Sequence, residues 1–110
     1  MQTLNPGDIV IAFMQFLDGA GQKKRPALVV SNRDHNQATH NIVLAYISSK
    51  GVKNDYDIPI IDWGQSGLRM PSIVRTGRLV TINSEFAKKI GALNPNEFAR
   101  VKDRVLTILS

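Results

Sequence analysis

Residues 9–16 read Ile9-Val10-Ile11-Ala12-Phe13-Met14-Gln15-Phe16 and follow Pro6-Gly7-Asp8. Ile9, Ile11 and Phe13 alternate with Val10, Ala12 and Met14. Both sets are apolar. A strand with one wet face would alternate apolar with polar, so this pattern predicts a strand buried on both faces. The segment after it, Leu17 to Lys24, is rich in turn residues and ends in charge. It reads as a hairpin loop.

More strands follow at close spacing. Pro26 to Ser31 is a second, with Leu28, Val29 and Val30 as its body and Pro26 at its first position, where a missing donor is tolerated. Asn32 to His40 is polar and aperiodic and reads as a loop. Asn41 to Ser48 is a third strand, and Tyr56 to Ile61 a fourth, at an edge because Pro59 cannot donate to a ladder. Ser72 to Thr76 and Arg78 to Ile82 are short strands joined by a bend at Gly77. Asn83 to Lys89 reads as one or two helical turns. Asn94-Pro95-Asn96-Glu97 then carries a capping-box pattern, and Phe98, Val101, Val105, Ile108 and Leu109 make one apolar stripe from Pro95 to Ser110. The expected fold is mainly β with α: a small, curved antiparallel barrel of five to seven strands with a C-terminal helix.

Composition narrows the function. The chain has 110 residues, one domain spanning 1–110, with 43% hydrophobic and 21% charged residues. It has no Cys, which removes a disulfide framework, a thiolate zinc site and a Cys nucleophile. Neither a leader pattern nor an apolar run of membrane-spanning length is visible, so a cytoplasmic location is the expectation. Fourteen Lys and Arg against nine Asp and Glu give a net charge of +5, which favours an anionic partner.

Most familiar sites are missing. No phosphate loop with a Lys-Ser or Lys-Thr end occurs, and no Ser-centred nucleophile elbow. His35 and His40 stand five apart with no third ligand, so no metal site is expected. His35 is a candidate general base or simply an exposed loop residue. Asp55 and Asp57 share a strand face and read as a solvated edge. What remains is cationic and hydroxylic: Lys23-Lys24-Arg25 before the second strand, Ser48-Ser49-Lys50 after the third, and Arg75 and Arg78 on the later strands. An Arg opening strand two and a Ser closing strand three can meet if those strands pair antiparallel. Guanidinium forks and hydroxyls suit a phosphodiester. A solvated cationic loop is the plainer alternative.

The order of these segments resembles a known family. Gly7-Asp8-Ile9-Val10, a Gly-containing loop and Lys24-Arg25-Pro26-Ala27-Leu28-Val29-Val30-Ser31 are similar to the opening of the MazF/PemK toxin ribonucleases. Ile42 to Ser49, Ser72-Ile73-Val74-Arg75, Leu79-Val80-Thr81-Ile82 and Ile90-Gly91-Ala92-Leu93 resemble its later segments in the same order. The resemblance implies a homodimeric, cofactor-free endoribonuclease. It would cut single-stranded RNA at short sequences by 2′-hydroxyl transesterification and be inhibited by an acidic antitoxin. It places the catalytic Arg at Arg25, the catalytic hydroxyl at Ser48 and one branch's strand Arg at Arg75. His35 remains a stand-in base, and Lys23, Lys24, Ser49 and Arg78 would bind RNA, with Tyr46 or Phe16 stacking a base. Three departures stand out: Ser48 for Thr, Tyr46 for Pro, and Gly77 where that branch has an acid after its Arg. A gyrase-binding or RNA-binding relative on the same barrel is the alternative, although the gyrase branch lacks the Arg-Pro block. The charge is expected to form a basic rim of strand ends on an otherwise nearly neutral domain.

Overall fold

A computed structural model describes residues 3–15 and 22–110. Six strands and two helices follow one another: β1 (Asp8–Gln15), β2 (Gln22–Val29), α1 (Arg33–Thr39), β3 (Asn41–Ser48), β4 (Asp57–Pro59), β5 (Ile73–Asn83), β6 (Ala87–Ala92) and α2 (Pro95–Leu109). The strands form one antiparallel sheet in the order β4-β5-β3-β2-β1-β6. Phe16 and most of the loop over 17–24 lie outside the described residues.

β1 is buried on both faces only in its first part, through Ile9, Val10 and Ala12; Ile11 is half-buried and Phe13 is exposed, so the double apolar alternation overstates how far the strand is covered. Ile9 joins Leu28, Ala45, Ile47 and Val74 on one side of the sheet, where Leu93, Val101 and Val105 cover them. Val10 and Ala12 join Ala27, Val29, Ile42 and Leu44 on the other, with Leu4 from the N-terminal segment. Each fully buried Val, Leu or Ile side chain here contributes roughly 1.5–3 kcal/mol of transfer free energy. α2 starts where its cap dictates: Asn94 Oδ1 accepts the Glu97 N–H at 2.9 Å, with Pro95 in the first turn. Glu97 does not complete the capping box. Its buried carboxylate instead accepts the backbone N–H of Ile61, tying α2 to the segment after β4.

The structure corrects five local expectations. Residues 33–39 are helical, although apart from Ala38 they are polar and show no apolar period. Asn32 caps them by accepting the His35 N–H at 2.8 Å, and a buried Asn36 replaces an apolar face. Asn36 Nδ2 donates to Leu4 O at 2.9 Å and Ser31 O at 3.1 Å, so hydrogen bonds dock α1. Helical turns over Asn83–Lys89 shrink to a single 3₁₀ turn at Ser84–Phe86, and β6 follows it because β1 offers an open edge. The fourth strand is only Asp57–Pro59. The two strands expected over 72–82 are one, β5, with its bend where foreseen: Tyr46 pairs with Arg75 and Ala45 with Leu79, so residues 76–78 bulge around Gly77. Finally, β2 begins at Gln22, which puts Pro26 inside the strand rather than at its start.

Candidate active site

Pro26 opens the site. Successive residues of an antiparallel strand turn their N–H groups to alternate sides. Val30 N donates to Val43 O at 2.9 Å, so even-numbered positions of β2 face β3. Pro26 has no N–H to offer there, and the β2–β3 ladder stops one residue later, at Ala27 opposite Tyr46. Extending that register two steps sets Arg25 opposite Ser48, across strands no longer tied together. Strands two and three do pair antiparallel, the condition for bringing strand two's Arg and strand three's Ser to the same end of the sheet. Both residues line a broad cleft of about 1540 Å³.

The β5 bulge brings in two more cations. Positions 75 and 78 are an odd number apart, so a regular strand would send them to opposite faces. The extra residues cancel the alternation, and Arg75 and Arg78 both line the cleft. Arg78 lies over the Tyr46 ring, 5.6 Å from its centroid. Arg75 Nη1 donates to Asp57 Oδ2 at 2.7 Å, and Nη2 reaches Ser48 Oγ at 3.4 Å. The Ser48 hydroxyl also accepts the Lys50 N–H at 3.1 Å. With two donors directed at its oxygen, the remaining role of this hydroxyl is to donate.

The cleft is strongly cationic. Among the described residues, Lys23, Arg25, Lys50, Lys53, Arg69, Arg75 and Arg78 line it against one acid, Asp57. This positive charge exceeds the chain's net +5, so the rest of the molecule is close to neutral. Ser49 stands in the same wall. Two expected members do not. Lys24 follows the alternation of β2 to the other side and sits over Phe13, 5.4 Å from the ring centroid. His35 is fixed on α1 with Nδ1 3.0 Å from Asn36 Oδ1, outside the cleft lining.

Asp57 is not half of the solvated edge pair that its sequence suggests. Asp55 is exposed in a turn, but the Asp57 side chain is 4% exposed and ion-paired with Arg75. An acid thus stands beside Arg75 although position 77 is Gly. It comes from the neighbouring strand through the pairing of Asp57 with Arg75, which no local pattern reveals. Lys50 and Arg69 join the cleft from the loops after β3 and before β5, and Lys53 is the lining cation that sequence reasoning misses, because a loop cation carries no periodic signal. Among the described residues no three His, Asp or Glu side chains gather as a metal site, and no helix is long and apolar enough to cross a membrane.

Comparison with known proteins places this geometry. Residues 5–109 match the family model of the PemK-like, MazF-like toxins of type II toxin–antitoxin systems. The chain belongs to this toxin family. No curated protein sequence matches it significantly. Among solved structures, a MazE–MazF crystal chain from Deinococcus radiodurans has a TM-score of 0.80 at 16% identity, covering 100% of this chain and 98% of that one. The toxin MazF-mt6 of Mycobacterium tuberculosis has a TM-score of 0.77 at 20% identity, covering 93% and 95%. A mycobacterial endoribonuclease in complex with its cognate antitoxin has a TM-score of 0.81 at 15% identity, covering 96% of this chain and 94% of that one. At these identities the likeness is one of fold. In this MazF-like toxin, the Pro26 gap and the bulge at Gly77 are the local devices that shape the cleft.

Proposed function

We propose that this MazF-like toxin is a metal-independent endoribonuclease that cleaves single-stranded RNA at short sequences by 2′-hydroxyl transesterification. The observation that carries the reading is the placement of Arg25, Ser48 and Arg75 around the Pro26 gap in a cationic cleft. The ribose 2′-oxygen attacks its own phosphorus, the bond to O5′ breaks, and a cyclic phosphate and a 5′-hydroxyl result. A proton is lost at O2′ and one is gained at O5′. The nucleophile is tethered to its target, so most of the entropic cost of encounter is already met.

Arg25 and Arg75 neutralise charge that develops on the phosphate oxygens, and Ser48 donates its hydroxyl proton to one of them. Removing one preorganised donor to an oxygen that gains charge in a transition state costs about 10²–10³ in rate. Lys23, Ser49 and Arg78 hold the flanking strand. The protein acts in the cytoplasm as a homodimer and is silenced by an acidic antitoxin segment, for which the positive lining is the complementary surface. The resemblance and the charge of the cleft support these points. The alternative, a non-catalytic relative on the same barrel, is disfavoured by the Arg25-Pro26 block.

The test is incubation with end-labelled single-stranded RNA in excess chelator, beside Arg25→Ala and Ser48→Ala. Discrete cuts by the unaltered chain, lost in Arg25→Ala, are expected. No cleavage of varied RNAs by the unaltered chain would sink the enzyme reading.

A further inference from the structure

Among the described residues three carboxylates are buried: Asp8, Asp57 and Glu97. Two of them hold backbone N–H groups and are absent from the cleft lining. Asp8 accepts the Asn5 N–H at 2.8 Å and pairs with Lys89 at 3.2 Å. Glu97 accepts from Ile61 and Asp62. Asp57 differs, because it lies in the cationic lining itself. There its charge works against an anionic ligand, and binding alone gives no reason for it. Its Oδ2 takes the Lys53 N–H at 2.9 Å, which a neutral oxygen would satisfy equally well, and Arg75 Nη1 at 2.7 Å, which uses the charge.

The same guanidinium then reaches Ser48 Oγ through Nη2. A planar fork held at one prong has its other prong aimed. We propose that Asp57 is a positioning residue: it anchors Arg75 so that Nη2 occupies a lone pair of Ser48 and turns the hydroxyl proton toward the ligand phosphate. This rests on the ribonuclease reading. It carries a signature that a merely structural carboxylate lacks. Removing the negative charge strengthens the grip on RNA while it misaligns the group that reacts.

The experiment compares Asp57→Asn with the unaltered chain on one cleavable RNA and on the same RNA with a 2′-deoxy nucleotide at the scissile position. Asn keeps an oxygen for Lys53 N–H and removes the charge. Cleavage is expected to fall about 10²-fold, the scale of a small misplacement at a reacting centre. Binding of the deoxy RNA is expected to be equal or tighter. In an Arg75→Ala background the same substitution should change the rate less than twofold, because its effect runs through Arg75. A full cleavage rate in Asp57→Asn, or effects that multiply in the double variant, overturns the inference and leaves the ribonuclease reading standing. Absence of cleavage by the unaltered chain removes both. Should Asp57→Asn fail to fold, the NMR signals of the Arg75 guanidinium in the unaltered chain decide. Separate Nη1 and Nη2 signals support the anchored fork, and a single averaged signal overturns it.

Discussion

Gly91 of β6 lies against the carbonyl of Ser66 so closely that a Cβ on the glycine would overlap the carbonyl oxygen. One residue on, Gly67 has φ +94° and its own Cβ position would meet the carbonyl of Ile90. Two backbones touch here with no side chain between them. They belong to β6, at one edge of the sheet, and to the loop that follows β4, at the other. This contact brings the two ends of the curved sheet together and sets the wall that carries Leu68 and Arg69 into the cleft. Gly91→Ala therefore requires backbone movement. Overpacking of this kind costs about 1–3 kcal/mol. Urea denaturation should register that loss, with a lower midpoint and an unchanged slope. A variant as stable as the parent would mean that the contact gives way freely.

The strands were legible because their signal is local. β3 spans Asn41–Ser48, the bounds expected from its apolar run, and Gly77 marks the bend in β5. α2 announced itself by its cap and stripe. Where the deciding interaction was long-range, the reading failed. α1 has no apolar period, since a buried amide, Asn36, docks it through the backbone of Leu4 and Ser31. β6 forms because β1 has an open edge, and nothing within Ala87–Ala92 says so. In the cleft, Arg25 and Ser48 could be paired from strand order alone. Asp57 could not, because its meaning depends on a register between β4 and β5 that side-chain pattern does not encode.

Lys23 and Lys24 are neighbours in sequence on opposite faces of β2. Only Lys23 lines the cleft. For single-stranded nucleic acid, each neutralised phosphate contributes about −0.7 to the slope of log K against log salt concentration. Lys23→Ala is expected to flatten that slope by about this amount and to weaken binding across RNA sequences. Lys24→Ala, which removes a cation resting on Phe13, should leave the slope where it is. Fluorescence anisotropy with a labelled RNA over a salt series makes the measurement. Equal slopes for the two variants would contradict the placement of Lys23.

Pro26→Ala tests the gap itself. The substitution restores an N–H on the β3 side of β2, facing Ile47 in the extended register. A net backbone hydrogen bond contributes roughly 0.5–1.5 kcal/mol, and losing the proline raises unfolded-state entropy by a comparable ~0.4–1 kcal/mol. Stability should therefore stay close to the parent's. Cleavage should fall about tenfold, because the strands that carry Arg25 and Ser48 are drawn together and the phosphate has less room. Hydrogen exchange at position 26 would report the new bond directly. Protection there with an undiminished cleavage rate would show that the gap does not matter.

His35 and Asn36 separate chemistry from docking. His35 is held on α1 by contact with Asn36 and is absent from the cleft lining. His35→Ala is expected to leave the cleavage rate and its pH profile unchanged within twofold. A lost limb in that profile would restore His35 as the base and require α1 to move. Asn36→Ala should behave in the opposite way. Its side chain is buried, donates to Leu4 O and Ser31 O, and accepts from the Ser31 hydroxyl at 2.5 Å. Removing it strands those groups without partners, at about 1–3 kcal/mol for a buried polar group left unsatisfied. The melting temperature should drop while the rate per folded molecule, measured well below the transition, is retained. If Asn36→Ala instead abolished cleavage with its stability intact, α1 would belong to the catalytic machinery rather than to the scaffold.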